Sequence, residues 1–232
     1  MIPLRCDIAQ RRFAPATILL IIACFAVYVY QGRWDLLSKG FVPLDLTHSI
    51  FYPGSNTLSS IVAVAVAFFM HGSALHLISN MWYLWIFGSA VESRLGTASF
   101  IIVYTVCGAI SMISQAVYSP LSAIPIVGAS GAIAGLMGIH FILLPLSKIL
   151  IWFPPIFFFR IPAFVFLLLW FYVQYANAGA RGNTGVAWWA HIGGFVAGTC
   201  WGIYLRIHKR ESQPRRKGER KKDSTQSSRN GW

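Results

Sequence analysis

Between Asp45 and Glu211 the chain carries a single carboxylate, Glu92. A soluble domain keeps itself wetted with charge on every exposed face, about a quarter of its residues. Here charged residues make up 11% and the apolar set 56% of 232 residues. A water-soluble globular enzyme is thereby excluded. Disorder is excluded too, because it requires low hydrophobicity and high charge. The remaining class is an integral membrane protein, and about 20 apolar residues per crossing leave room for about six crossings.

The hydrophobic runs fall into that number. Residues 1–13 are polar and basic, and spans are expected at about 14–30, 72–92, 100–118, 130–145, 161–176 and 186–205. The first run ends in Tyr-Val-Tyr-Gln, not in a small-residue cleavage site, and reads as an uncleaved span. Ile61 to Met70 is too short to cross alone. The stretch Ile149 to Phe159, broken by Pro154-Pro155, is expected to lie along the interface. Residues 14–206 thus form one membrane domain, and 207–232 a basic, disordered tail.

Charge distribution orients the bundle. Six crossings put both termini on one side, together with Arg5, Arg11, Arg12, Arg94, Lys148, Arg160 and ten basic tail residues. The other side holds only Arg33, Lys39 and Arg181. This asymmetry places both termini in the cytoplasm. The net charge of +12 then reflects a tail beside anionic lipid, and no nucleic-acid partner is expected. Cys6, Cys24, Cys107 and Cys200 form neither a CxxC pair nor a Cys/His cluster, so no metal or disulfide is expected.

Strongly polar residues inside spans are costly, and so mark function. His76 and Asn80 are four apart and share a helix face. His191 heads a stripe continued by Gly194, Gly198 and Gly202, while Gly131, Ala134, Gly135 and Gly138 give the fourth span a matching smooth face. Such faces pack closely, which would bring Ser130 and His191 together at the outer end. The competing reading makes Ser130 a simple helix cap. A serine is activated by a neighbouring base. With Glu92 assigned to the opposite end, no Ser-His-Asp triad is available and catalysis must use a dyad. Two intramembrane carboxylates for an aspartyl protease and an HExxH zinc motif are both missing. His140 reads as a packing residue.

Gly128-Ala-Ser-Gly131, His71-x4-His76-x3-Asn80 and Ala190-His-Ile-Gly-Gly-Phe-Val-Ala-Gly198 together resemble the rhomboid intramembrane serine proteases, over about residues 12 to 205 and in that family's motif order. The resemblance implies an all-α, six-transmembrane-helix bundle with a membrane-embedded first loop and a water-filled cavity open to the outside. It assigns Ser130 as nucleophile and His191 as general base and acid. Asn80, His76 and the Ser130 N–H would form the oxyanion site, with His71 lining the cavity and Gly128 allowing close approach. Some members carry Trp-Arg in the first loop, absent here. Some carry a Tyr four residues after the nucleophile, where this chain has Ala134.

The expected activity is hydrolysis of peptide bonds in or near transmembrane segments of other membrane proteins. Cleavage is expected toward the outer face and near helix-weakening residues, because helical backbone is poorly open to attack. No cofactor is expected. A catalytically silent relative that binds membrane-protein clients is the alternative, and typically lacks the serine or the histidine. A channel would line the whole thickness with polar groups, whereas these cluster in the outer half. Without an Arg/Ser-rich transit segment, a prokaryotic plasma membrane is the expected location.

Overall fold

A computed structural model describes residues 2–7, 13–31, 39–51, 57–179 and 185–211. In chain order its elements are β1 (Ile2–Cys6), α1 (Pro15–Gln31), α2 (Pro43–Phe51), α3 (Thr57–Ala67), α4 (Ala74–Tyr83), a π-helical segment (Leu84–Gly88), α5 (Ser89–Leu95), α6 (Thr97–Tyr118), α7 (Ser130–Leu143), β2 (Lys148–Phe153), β3 (Phe157–Pro162), α8 (Ala163–Ala178) and α9 (Trp188–Glu211). The π segment joins α4 to α5 without a break, so Ala74 to Leu95 is one continuous helical run.

Local chemistry accounts for the boundaries. Pro15 opens α1, where a missing N–H is harmless. Ser73 caps α4 by accepting from the His76 N–H at 3.2 Å. Gly96, with φ of 83°, ends α5 and turns the chain into α6, a conformation other residues rarely adopt. Glu92, the one carboxylate between Asp45 and Glu211, serves the start of α1. Glu92 accepts from the backbone N–H groups of Ala16 and Thr17 at 2.9 and 2.8 Å, and from the hydroxyls of Thr17 and Thr97 at 2.8 and 2.9 Å. The two backbone N–H groups are donors that a helix N-terminus leaves unsatisfied, and its dipole favours a negative group there.

α7 is the hub. Every residue from Gly131 to His140 is buried, as expected of a helix that is apolar all round. Its small face lies against α9 and α6. A Cβ on Gly138 would lie 2.7 Å from the Thr199 nitrogen, and one on Gly135 would collide with Cys107. α6 is the one helix among the described residues long and apolar enough to cross a bilayer by length and composition alone; α1, α7 and α8 are shorter apolar helices.

The fold is predominantly helical, and β1, β2 and β3 add a small three-stranded antiparallel sheet in that order. The stretch around Pro154-Pro155 is the β2–β3 hairpin, with Lys148 opposite Pro162 and Phe153 opposite Phe157. Its outer edge is covered by the N-terminal segment, with Ile2 opposite Trp152 and Cys6 opposite Ile149. The Trp82 indole N–H donates to the Pro3 carbonyl and ties this sheet to α4. His140 lies beneath it, with Nε2 2.9 Å from the Ser147 hydroxyl. α9 continues to Glu211. Residues 212–232, with Arg11, Arg12, Arg33 and Arg181 of the charge count, lie outside the described residues.

Candidate active site

The first residue of α7 meets the fourth residue of α9. Ser130 Oγ and His191 Nε2 are 2.8 Å apart. Ser130 does not cap its helix; the N-cap position is Ala129, which offers no side-chain cap. The pairing depends on the helix contact beneath it. A Cβ on Gly194 would run into the Gly131 carbonyl, so the glycine at 194 lets the two backbones come this close directly below the pair. Gln115 of α6 adds a polar clasp by accepting from the Ala190 N–H at 3.3 Å.

The loop before Ser130 is held in shape by its own backbone. Gly128 has φ of 124°, in the region that favours glycine, and its N–H donates to the Ala67 carbonyl at 2.8 Å. A Cβ there would sit 2.9 Å from Nε2 and Cε1 of His76 and 3.5 Å from Nδ2 of Asn80. Gly128 therefore lets both side chains of α4 close on the loop that carries Ser130. Asn80 is 7% exposed, and its Nδ2 is buried with no hydrogen-bond partner. A buried donor without a partner is uncommon, and here it faces the serine loop.

Ser130, His191, Asn80, His76 and Gly128 all line one cavity of about 1110 Å³. His71 does not, contrary to the sequence expectation. It is fully buried and outside the cavity lining, its ring edge-on to His76 with centroids 5.1 Å apart. Gln31 grips its backbone from α1, accepting from the His71 N–H at 3.1 Å and donating to its carbonyl at 2.5 Å. His71 thus backs the wall that carries His76. Among the described residues no group of three His, Cys, Asp or Glu could hold a metal ion.

Sequence reasoning overlooked what surrounds the far side of His191. Its Nδ1 lies 2.8 Å from Oε1 of Gln174 in α8. Two indoles flank the ring, Trp170 tilted at 33° and Trp188 edge-on, each with its centroid 6.0 Å away. The available signal was a glutamine inside an apolar span, itself a mark of function. An arrangement of this kind can remove a proton from a hydroxyl, hold it on imidazole, and offer an unpaired N–H donor to a developing negative charge.

The sequence was compared with known proteins. A family profile described as "Rhomboid domain" matches residues 58–208. The mitochondrial "Rhomboid protein 1" of Saccharomyces cerevisiae is 29% identical over 200 residues, which is 84% of this chain and 54% of that protein. "Rhomboid protease GlpG" of Haemophilus influenzae is 27% identical over 191 residues, covering 81% of this chain and 88% of that protein. "Rhomboid protease GluP" of Bacillus subtilis is 39% identical over 69 residues, 30% of this chain and 13% of that protein. The chain thus spans about half the length of the yeast relative and a small part of GluP.

Proposed function

The chain belongs to the rhomboid family, and on that footing we propose that it is an intramembrane serine endopeptidase that cuts peptide bonds in or near transmembrane segments of other membrane proteins. The observation that carries this reading is the 2.8 Å contact between Ser130 Oγ and His191 Nε2 at a large cavity. Relatives named as rhomboid proteases support it.

In this reading the Ser130 hydroxyl attacks the scissile carbonyl carbon while its proton passes to His191 Nε2. The carbonyl oxygen becomes an oxyanion. It is received by the Ser130 N–H, the Asn80 amide that has no partner in the resting site, and His76. As the carbon–nitrogen bond breaks, His191 returns the proton to the leaving amine. A water from the cavity then repeats the sequence on the acyl-enzyme, with the serine leaving. The cavity serves the second half of the cycle, because a hydrolase inside lipid needs its own water.

Within the same proposal, the six long helical runs are the transmembrane helices and α2 with α3 form a first loop embedded at the outer leaflet. Both termini lie on the cytoplasmic side of a prokaryotic plasma membrane, which the distribution of Lys and Arg supports. The test is cleavage of a reporter transmembrane substrate in liposomes by the full chain, Ser130→Ala and His191→Ala. Cleavage lost in both folded variants is expected. Cleavage that survives Ser130→Ala would exclude serine hydrolysis.

A further inference from the structure

We propose that Gln174 is the positioning residue that fixes the tautomer of His191, doing with a neutral amide what a carboxylate does in a three-membered site. This rests on the dyad reading above. The chain of hydrogen bonds is directional from end to end. Gln174 Nε2 donates to the Trp170 carbonyl at 3.1 Å, and a carbonyl can only accept. The amide is therefore oriented with Oε1 toward His191, where it too can only accept. Nδ1 of the neutral imidazole must then carry the proton, and Nε2 is left with the lone pair that faces the Ser130 hydroxyl at 2.8 Å. In the other tautomer two acceptors would face each other at Gln174, and Nε2 could not take the serine proton.

Placement supports a constraint on the ring rather than incidental packing. Gln174 is 5% exposed, on a helix whose other residues are overwhelmingly apolar, and burying an amide is unfavourable unless its groups are used. Trp170, one turn earlier on α8, presses on the same imidazole. One helix thus supplies both the acceptor and the ring contact, at a site where Ala134 offers no aromatic support. A carboxylate in this place would bring a buried charge into the span; an amide orients the ring without one.

The experiment uses the full chain in lipid, as wild type, Gln174→Leu, Gln174→Met and Gln174→Glu. Two quantities are read: kinetics on a reporter transmembrane substrate, and the ¹⁵N shifts of the His191 imidazole, identified by their loss in His191→Ala. Wild type is expected to show a protonated Nδ1 and a bare Nε2. Leu and Met, which lack the amide acceptor, should lose that single-tautomer signature. They should also lower kcat about 10²-fold or more with KM within about twofold, as expected when a general base is held in the wrong tautomer. Glu keeps an acceptor and should restore both. An unchanged His191 spectrum in folded Gln174→Leu or Gln174→Met would overturn the proposal, whatever the activity. Cleavage undiminished in a parallel Ser130→Ala would instead overturn the dyad reading and leave the tautomer judged by its spectrum.

Discussion

Gly198 of α9 lies so close to Gly135 of α7 that a Cβ on the first would overlap the carbonyl oxygen of the second. Backbone cannot yield as a flexible side chain can, so Gly198→Ala must spread the two helices. We expect a loss of about 3 kcal/mol or more in stability, together with loss of cleavage as Ser130 and His191 part. Gly72→Ala is the control, since nothing lies within 4 Å of its Cβ position. Unfolding temperatures of both in detergent decide the matter; equal values would remove the helix contact as the cause.

Asn80 should behave in the opposite way. Its buried Nδ2 has no partner in the resting site, so Asn80→Ala gives up no internal hydrogen bond at that nitrogen. Stability is expected to hold or rise, while turnover falls about 10²- to 10³-fold, the usual cost of a missing oxyanion donor. Turnover and unfolding temperature falling in step would assign Asn80 to the scaffold instead.

Gly128→Ala places a β-carbon on backbone at φ of 124° and 2.9 Å from the His76 ring. Such strain amounts to about 1–3 kcal/mol, small enough for the protein to fold. The serine loop and His76 can no longer approach each other, and kcat should fall about 10²-fold. Wild-type kcat in this variant would show that the loop conformation is dispensable.

Glu92→Ala removes the acceptor for four donors at the start of α1 and α6. Buried donors left without partners cost about 1–3 kcal/mol each, so a total of about 3 kcal/mol or more is expected. Thr97→Ala, which removes one of the four donors, should cost far less. Chemical unfolding in micelles compares them, and indistinguishable midpoints would contradict the capping role.

The helices and the Ser130–His191 pair were legible in the sequence for one reason. In an apolar chain, polar residues and small-residue stripes are rare enough that their spacing carries geometric information. The spacing of Gly131, Gly135 and Gly138 against Gly194 and Gly198 by itself implies a contact. The sheet has no such mark. Its strands are short, Lys148–Phe153 and Phe157–Pro162 are apolar without alternation, and a brief apolar run has no distinctive period. Pairing with Ile2–Cys6 is non-local, so no window of sequence contains it. Gln174 was missed for a related reason, because its partner lies on the next helix and only the bundle brings them together. His71 was misplaced because its motif spacing fixes a neighbourhood, not which side of the wall a ring occupies.

The sheet also has a consequence for how the molecule is made. Ile2–Cys6 is synthesised well before Lys148–Phe153, its partner strand, because α1 to α7 lie between them. β1 therefore waits, unpaired, while those helices are made. Contacts so distant in sequence are slow to form, and this one joins β1 to the hairpin that precedes α8. β1 thus acts as a clasp, closed only once the helices between it and the hairpin are in place.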